Sequence, residues 1–188
     1  MPSPLSVKKN NYIKNPKRSD IETPPKVAQF ISDLFPNVSF VFDPCKGNGN
    51  LLKPFAQRGC VTNGLDIKDG VDFLSITYDV YCDLVVCNPP FNLGVGKKLG
   101  SELFLEKILE VCSKNVPIVL FVPMGFRLNQ RKSSSRYRKI RDVYPPITSI
   151  VSLPLDIFQD VLFHNEILIF NAPNLKPHYC LDIQYLHQ

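Results

Sequence analysis

Three short apolar runs in this chain each stop abruptly on a polar turn, and that pattern limits the fold more than any other feature of the sequence. The runs lie in "VSFVFDPCKGNGN", "CVTNGLDI" and "YCDLVVCNPPF". All three read as strands, and the continuous apolar run before "NPPF" has the pattern of a strand buried in a parallel sheet. Helical spacing fills the gaps between them. In "ETPPKVAQFISDLF", Val27, Ile31 and Leu34 recur one helical turn apart; Thr23 is placed to cap and Pro24 suits the first turn. Leu51, Leu52 and Phe55 predict a second helix closed by Gly59, and "SELFLEKILEVCSKN" predicts a third. "GVDFL" reads as a short extended piece, and "VPIVLFVP", "TSIVSLP" and "NEILIFN" as further β segments. Strands alternating with helices predict an α/β domain around a largely parallel sheet.

At 188 residues the chain is long enough for one ordinary domain, and 44% hydrophobic residues supply a core. The first twenty residues are polar, lack a period and carry Lys8, Lys9, Lys14, Lys17 and Arg18. They read as a basic N-terminal arm, or a plain solvated terminus, ahead of a single domain over 21–188. None of the six cysteines forms a C-x-x-C pair, so no zinc ribbon or dithiol site is written here. No apolar run is long enough to span a bilayer and no signal peptide opens the chain, so a soluble cytoplasmic protein is expected. The net charge of +5 leans toward a polyanionic partner.

Ligands of open α/β sheets bind beyond the carboxyl ends of the strands, where the three polar turns lie. In "FDPCKGNGN", Gly47 and Gly49 permit a tight strand-to-helix turn, but position 52 is Leu and the dinucleotide fingerprint is incomplete. Asp43 ahead of them disfavours a pyrophosphate and suits a cationic or amine-bearing group. Asp66 ends the next strand as either a ribose-binding carboxylate or a helix N-cap. In "NPPF", the Asn88 side chain and the Pro89 carbonyl are two acceptors held by rigid prolines, beside the flat face of Phe91. That set fits a planar ring bearing an exocyclic NH2, whose two hydrogens it would receive. Fixing both hydrogens favours a pyramidal nitrogen and frees its lone pair. The alternative is a structural turn that caps a strand.

"DPCKGNGN", then "LDI", then "NPPF", in this order, resembles the amino-methylating class I methyltransferases that use S-adenosylmethionine, above all the DNA N6-adenine methyltransferases. The resemblance covers about residues 21–171. It implies a Rossmann-like fold: a mixed seven-stranded sheet, mostly parallel with one antiparallel strand, and helices on both faces. It also implies that Thr23, Pro24, Asp43, Gly47 and Gly49 surround the methionine and ribose of the cofactor. Asp66 would hold the ribose hydroxyls, Ile67, Asp72 and Phe73 would flank the cofactor adenine, and Asn88, Pro89, Pro90 and Phe91 would grip the target base, with Asn88 also touching the cofactor. The implied reaction is direct attack of the amine on the sulfonium methyl, with no metal required, and an adenine in duplex DNA would be flipped out to reach Phe91. By analogy, a phage, a mobile element or a minimal restriction–modification system is the expected setting.

Many DNA members carry a separate target-recognition domain, for which this chain has no room. A basic loop at about 127–146 is the substitute, with Arg127, Arg131, Lys132, Arg136, Arg138, Lys139 and Arg141 as phosphate contacts and a serine triplet that hints at mobility. Lys97 and Lys98, after NPPF, add phosphate contacts or are merely exposed, and His164 and Asn165 are taken as structural. DNA is thus the expected partner, RNA the nearest alternative. A glutamine-side-chain methyltransferase and a silent binding subunit are more distant ones. A homodimer or partner subunit stays open.

Overall fold

The computed structural model describes residues 21–91, 93, 98–128, 130–158 and 164–181. The basic arm over 1–20 and Lys97 lie outside them. Seven strands form one sheet in the order β2-β1-β3-β4-β6-β5-β7. They are β1 (Phe40–Asp43), β2 (Val61–Gly64), β3 (Leu84–Cys87), β4 (Ile118–Pro123), β5 (Ile147–Ser152), β6 (Asn165–Phe170) and β7 (His178–Cys180). β6 runs antiparallel to both β4 and β5, and every other pairing is parallel.

The apolar runs make this sheet because its centre is covered twice. All four residues of β3 and all six of β6 are buried. Alternate residues divide between two cores. Val41, Leu84, Val86, Val119 and Ile167 pack with helices α1 (Pro25–Leu34) and α2 (Lys53–Gln57) on one face. Phe42, Val85, Cys87, Ile118 and Leu168 pack with α3 (Gly100–Val111) on the other, joined by Ile140 of α4 (Ser135–Asp142). In α1, Val27, Ala28 and Ile31 are wholly buried one turn apart, and burying a side chain such as Ile31 contributes roughly 2 kcal/mol.

Four local expectations change. "GVDFL" is no strand: the Asp72 side chain accepts from Leu74 N at 3.2 Å and winds Phe73–Ser75 into a 3-10 turn. The seventh strand is instead His178–Cys180, too short to show a period, pairing with β5 at the far edge. The basic segment is not all loop. Ser134 accepts from Tyr137 N at 3.1 Å and caps α4, so part of the serine triplet starts a helix. Thr23 does not cap α1; Pro24 is its N-cap and Pro25 its first residue, leaving the Thr23 hydroxyl for another partner.

The chain leaves β1 for β2 on one side and then crosses to β3 on the other, so the order reverses at β1. Parallel register sets Asp43 beside Gly64 and carries the ends of all three strands to one edge of the sheet. A cleft opens there, as expected at a switch point.

Candidate functional site

The cleft encloses about 970 Å³, its open mouth included, and all three predicted strand ends contribute to its wall. In the first, Gly47 (φ +53°) and Gly49 (φ +77°) occupy the left-handed region, and an added Cβ on either would meet nothing within 4 Å. These glycines are needed for the bend, and no protein atom crowds either of them. The bend folds Cys45 N back onto Asp43 Oδ1 at 2.9 Å. Asp43 is 1% exposed, and desolvation raises its carboxyl to about 7; the neighbouring Asp66 charge adds to the rise and the Cys45 hydrogen bond opposes it.

Asp66 is the N-cap that the sequence allowed, and it stands on the cleft wall as well. It caps the 3-10 turn Ile67–Asp69, its Oδ1 accepting from Lys68 N at 2.9 Å, and it lines the cleft. Its Oδ2 accepts from Gly47 N at 2.8 Å, which ties the second strand end to the first. Ile67, Asp72 and Phe73 also line the cleft. Phe73 is buried and stacks on Phe104 with ring centroids 5.6 Å apart, so the wall there is aromatic and rigid. Both Asp72 oxygens are engaged, by Leu74 N and by Ser75 Oγ at 2.9 Å.

At the third strand end, Asn88 and Pro90 line the cleft, while Pro89 and Phe91 do not. Pro89 is buried, and half-buried Phe91 packs against the core under α1. Asn88 Nδ2 donates to Thr23 Oγ1 at 3.1 Å and to the Ile21 carbonyl at 3.4 Å. Among the described residues, nothing donates to its Oδ1. Of the other expected cofactor contacts, Thr23 lines the cleft and Pro24 and Gly49 do not.

Several participants escaped the sequence reading. Glu22 accepts from the side chains of Asn48 and Asn50, the latter at 2.6 Å, and so straps the segment before α1 to the glycine turn. Lys46 pairs with Asp69 at 2.9 Å. Cys45 and Cys87 sit with sulfurs 3.5 Å apart, and burial pushes both thiols up. A Cβ on Gly100 would lie 2.3 Å from the Leu93 carbonyl and 2.4 Å from that of Pro90, so the N-P-P turn presses directly onto the start of α3. The asparagines of "KGNGN" were the one visible signal for the strap. Nothing local marks Gly100.

The basic residues separate into two groups. Arg127 forms a bidentate pair with buried Glu166, at 3.1 and 2.8 Å. Arg136 donates to buried Glu102 at 3.0 Å, and Lys139 reaches Glu102 at 3.5 Å and Glu106 more closely. Lys98 also pairs with Glu106, at 2.7 Å, and Arg141 with its neighbour Asp142. Desolvation works to raise the Glu106 carboxyl, but hydrogen bonds from Lys139, Lys98 and Tyr144 outweigh it and hold the group low. Arg131, Lys132 and Arg138 are exposed and pair with no acid among the described residues. His164 is exposed and its carbonyl accepts from Met124 N, while Asn165 is buried in β6.

No family model matches the sequence, and no curated protein does. Among solved structures the chain is similar to a modification subunit assigned to a type I restriction enzyme of Vibrio vulnificus YJ016, at 16% identity over 95% of this chain and 50% of that one, TM-score 0.64. It is similar also to a Listeria monocytogenes protein assigned to the class I S-adenosylmethionine-dependent methyltransferases, at 17% identity over 98% of this chain and 76% of that one, TM-score 0.64. A third is the type I restriction–modification methyltransferase subunit of Streptococcus thermophilus, at 17% identity over 87% and 47%, TM-score 0.62. The chain spans about half the length of the two type I subunits. Seven strands with one reversed and helices on both faces agree with these neighbours, and the fold of this chain is that of the class I methyltransferases.

Proposed function

We propose that this chain transfers a methyl group from S-adenosylmethionine to the exocyclic N6 amine of adenine in DNA. The observation that carries the reading is the Asn88 side chain. It stands on the cleft wall with its NH2 end held by Thr23 and Ile21 and its oxygen without a donor among the described residues. An acceptor oxygen so held matches one hydrogen of an aromatic amine, and the Pro89 carbonyl, the next acceptor along the chain, is assigned the other.

The cleft fits the cofactor by the chemistry of its lining. Asp43, buried and reluctant to ionise, gains from a cationic ligand. Each Asp66 oxygen accepts one backbone hydrogen bond and keeps capacity for a hydroxyl of a ribose diol. Ile67, 39% exposed, and the Phe73 wall offer apolar surface to a flat ring. When bound, the cofactor supplies an electrophilic methyl on a sulfonium. Asn88 Oδ1 and the Pro89 carbonyl orient the amine and stabilise the positive charge that develops on its nitrogen. Exposed Arg131, Lys132 and Arg138 serve as phosphate contacts, and the half-buried Phe91 presents its uncovered side to the extruded base. The type I modification subunits among the structural neighbours favour a restriction–modification setting with partner subunits, and a DNA rather than an RNA substrate.

The test incubates the protein with tritiated cofactor and, separately, unmethylated duplex DNA, total RNA or a protein lysate, then digests and identifies the labelled product. Label in N6-methyladenine from DNA is the expected result. Label confined to RNA or to glutamine moves the substrate, and label in none of them, with cofactor bound, points to a silent subunit.

A further inference from the structure

We infer that Thr23 is a positioning residue for the amine acceptor: its hydroxyl, together with the Ile21 carbonyl, sets the Asn88 amide so that the carbamoyl oxygen is left for substrate. This rests on the reading of Asn88 given above. The expectation from the sequence made Thr23 a cofactor contact; its observed hydrogen-bond partner is Asn88.

The geometry decides which end of the amide faces inward. The Ile21 carbonyl can only accept, so the end of Asn88 that lies 3.4 Å from it must be the NH2. Turning the amide over would set two carbonyl oxygens against each other. The Thr23 hydroxyl, 3.1 Å from the same nitrogen, adds the second and shorter anchor. Thr23 is itself held firmly. It is 4% exposed, and Pro24 (φ −58°) and Pro25 follow it, which restricts its own backbone to extended conformations. Its carbonyl accepts from Asn50 Nδ2 at 3.3 Å, while Glu22 accepts from Asn48 and Asn50. Residues 21–23 therefore bridge two turns, the glycine turn after β1 and the N-P-P turn after β3. One segment gathers the ligand-binding turn and the amine acceptor into a common frame.

Two variants test this. Thr23→Val keeps the shape and removes the hydroxyl; Thr23→Ser keeps the hydroxyl. Three quantities are measured on each: the Asn88 side-chain NH2 resonances, cofactor affinity by calorimetry, and single-turnover methyl transfer to DNA. In Thr23→Val the Asn88 resonances should shift or broaden and transfer should fall roughly tenfold to a hundredfold, with cofactor Kd within about threefold of the parent. Thr23→Ser should restore both the resonances and the rate to within about threefold. Unchanged Asn88 resonances in Thr23→Val overturn the inference. So does a loss of cofactor affinity as large as the loss of rate, which would make Thr23 a ligand contact. The resonances need no substrate. If the parent methylates no nucleic acid yet the NH2 signals respond as expected, the positioning role stands and the functional reading falls.

Discussion

Asp43→Asn should stabilise the ligand-free protein, and by an amount that depends on pH in a defined way. The Asp43 carboxyl moves from an ordinary 3.8 to about 7 because the folded protein strips it of water. Well below its ordinary value of 3.8 it is protonated in folded and unfolded chains alike, and it neither adds nor removes stability. From there to about pH 7 the unfolded chain ionises while the folded one holds its proton, so folding is progressively disfavoured; above pH 7 the loss is constant. A rise of that size sets a ceiling of about 4 kcal/mol on the loss. The asparagine cannot ionise, yet its oxygen can still accept from Cys45 N. Its new NH2 end lacks a partner, which lowers the whole curve by about 1 kcal/mol at every pH. The diagnostic quantity is therefore the slope of the difference, not its level. Urea unfolding of both proteins from pH 4 to 9 should show the variant gaining on the parent up to about pH 7 and then running parallel to it. A difference that does not change with pH would refute the argument, because desolvation of an ionisable group could then not be its source. On the proposed function the same group favours the cofactor, since a cation bound beside Asp43 would recover what burial removes. Cofactor affinity of the parent should rise with pH through about 7, and that of the variant should stay flat.

Four further outcomes follow from the geometry. Asn88→Ala should lower single-turnover transfer by at least about a hundredfold while cofactor Kd stays within about threefold; near-parental turnover would remove Asn88 from the mechanism. If Arg131, Lys132 and Arg138 are the phosphate contacts among the basic residues of the α4 region, the slope of log K against log salt should be about −3, and changing all three to Gln should bring it toward zero; a slope of about −6 in the parent would mean that the ion-paired residues of the region also bind. Arg136→Ala should cost about 2–4 kcal/mol in urea unfolding because Glu102 loses its closest partner, whereas Arg138→Ala should cost less than about 0.5 kcal/mol; equal costs would contradict the division of the basic residues. Gly100→Ala should destabilise by more than about 2 kcal/mol and depress transfer together, since the new methyl collides with the Pro90 and Leu93 carbonyls, and a variant of parental stability would show that the N-P-P turn can yield.

The features that could be read from the sequence are those whose chemistry is local. A strand that stops at Asp43, Asp66 or Asn88 writes its own end, because the residues that break the ladder are the residues that line the cleft. Parallel strands in a right-handed α/β fold then bring such ends to one edge without further instruction. What stayed hidden depends on partners far along the chain. "RKSSSRYRKIRD" reads as one run of positive charge, yet Arg136 and Lys139, three residues apart on α4, turn to acids on α3 more than thirty positions earlier. Arg127 meets Glu166, 39 residues later. The sign of a charge is local, but its availability is not. A buried carboxylate such as Glu102 needs a cation whatever else the protein does, so the basic segment first had to satisfy the fold. Arg131, Lys132 and Arg138 are left exposed with no acid partner among the described residues, while exposed Arg141 pairs only with its neighbour Asp142. Counting cations in the sequence therefore overstates the binding surface by the number that the core has already engaged, and the salt slope is the measurement that separates the two.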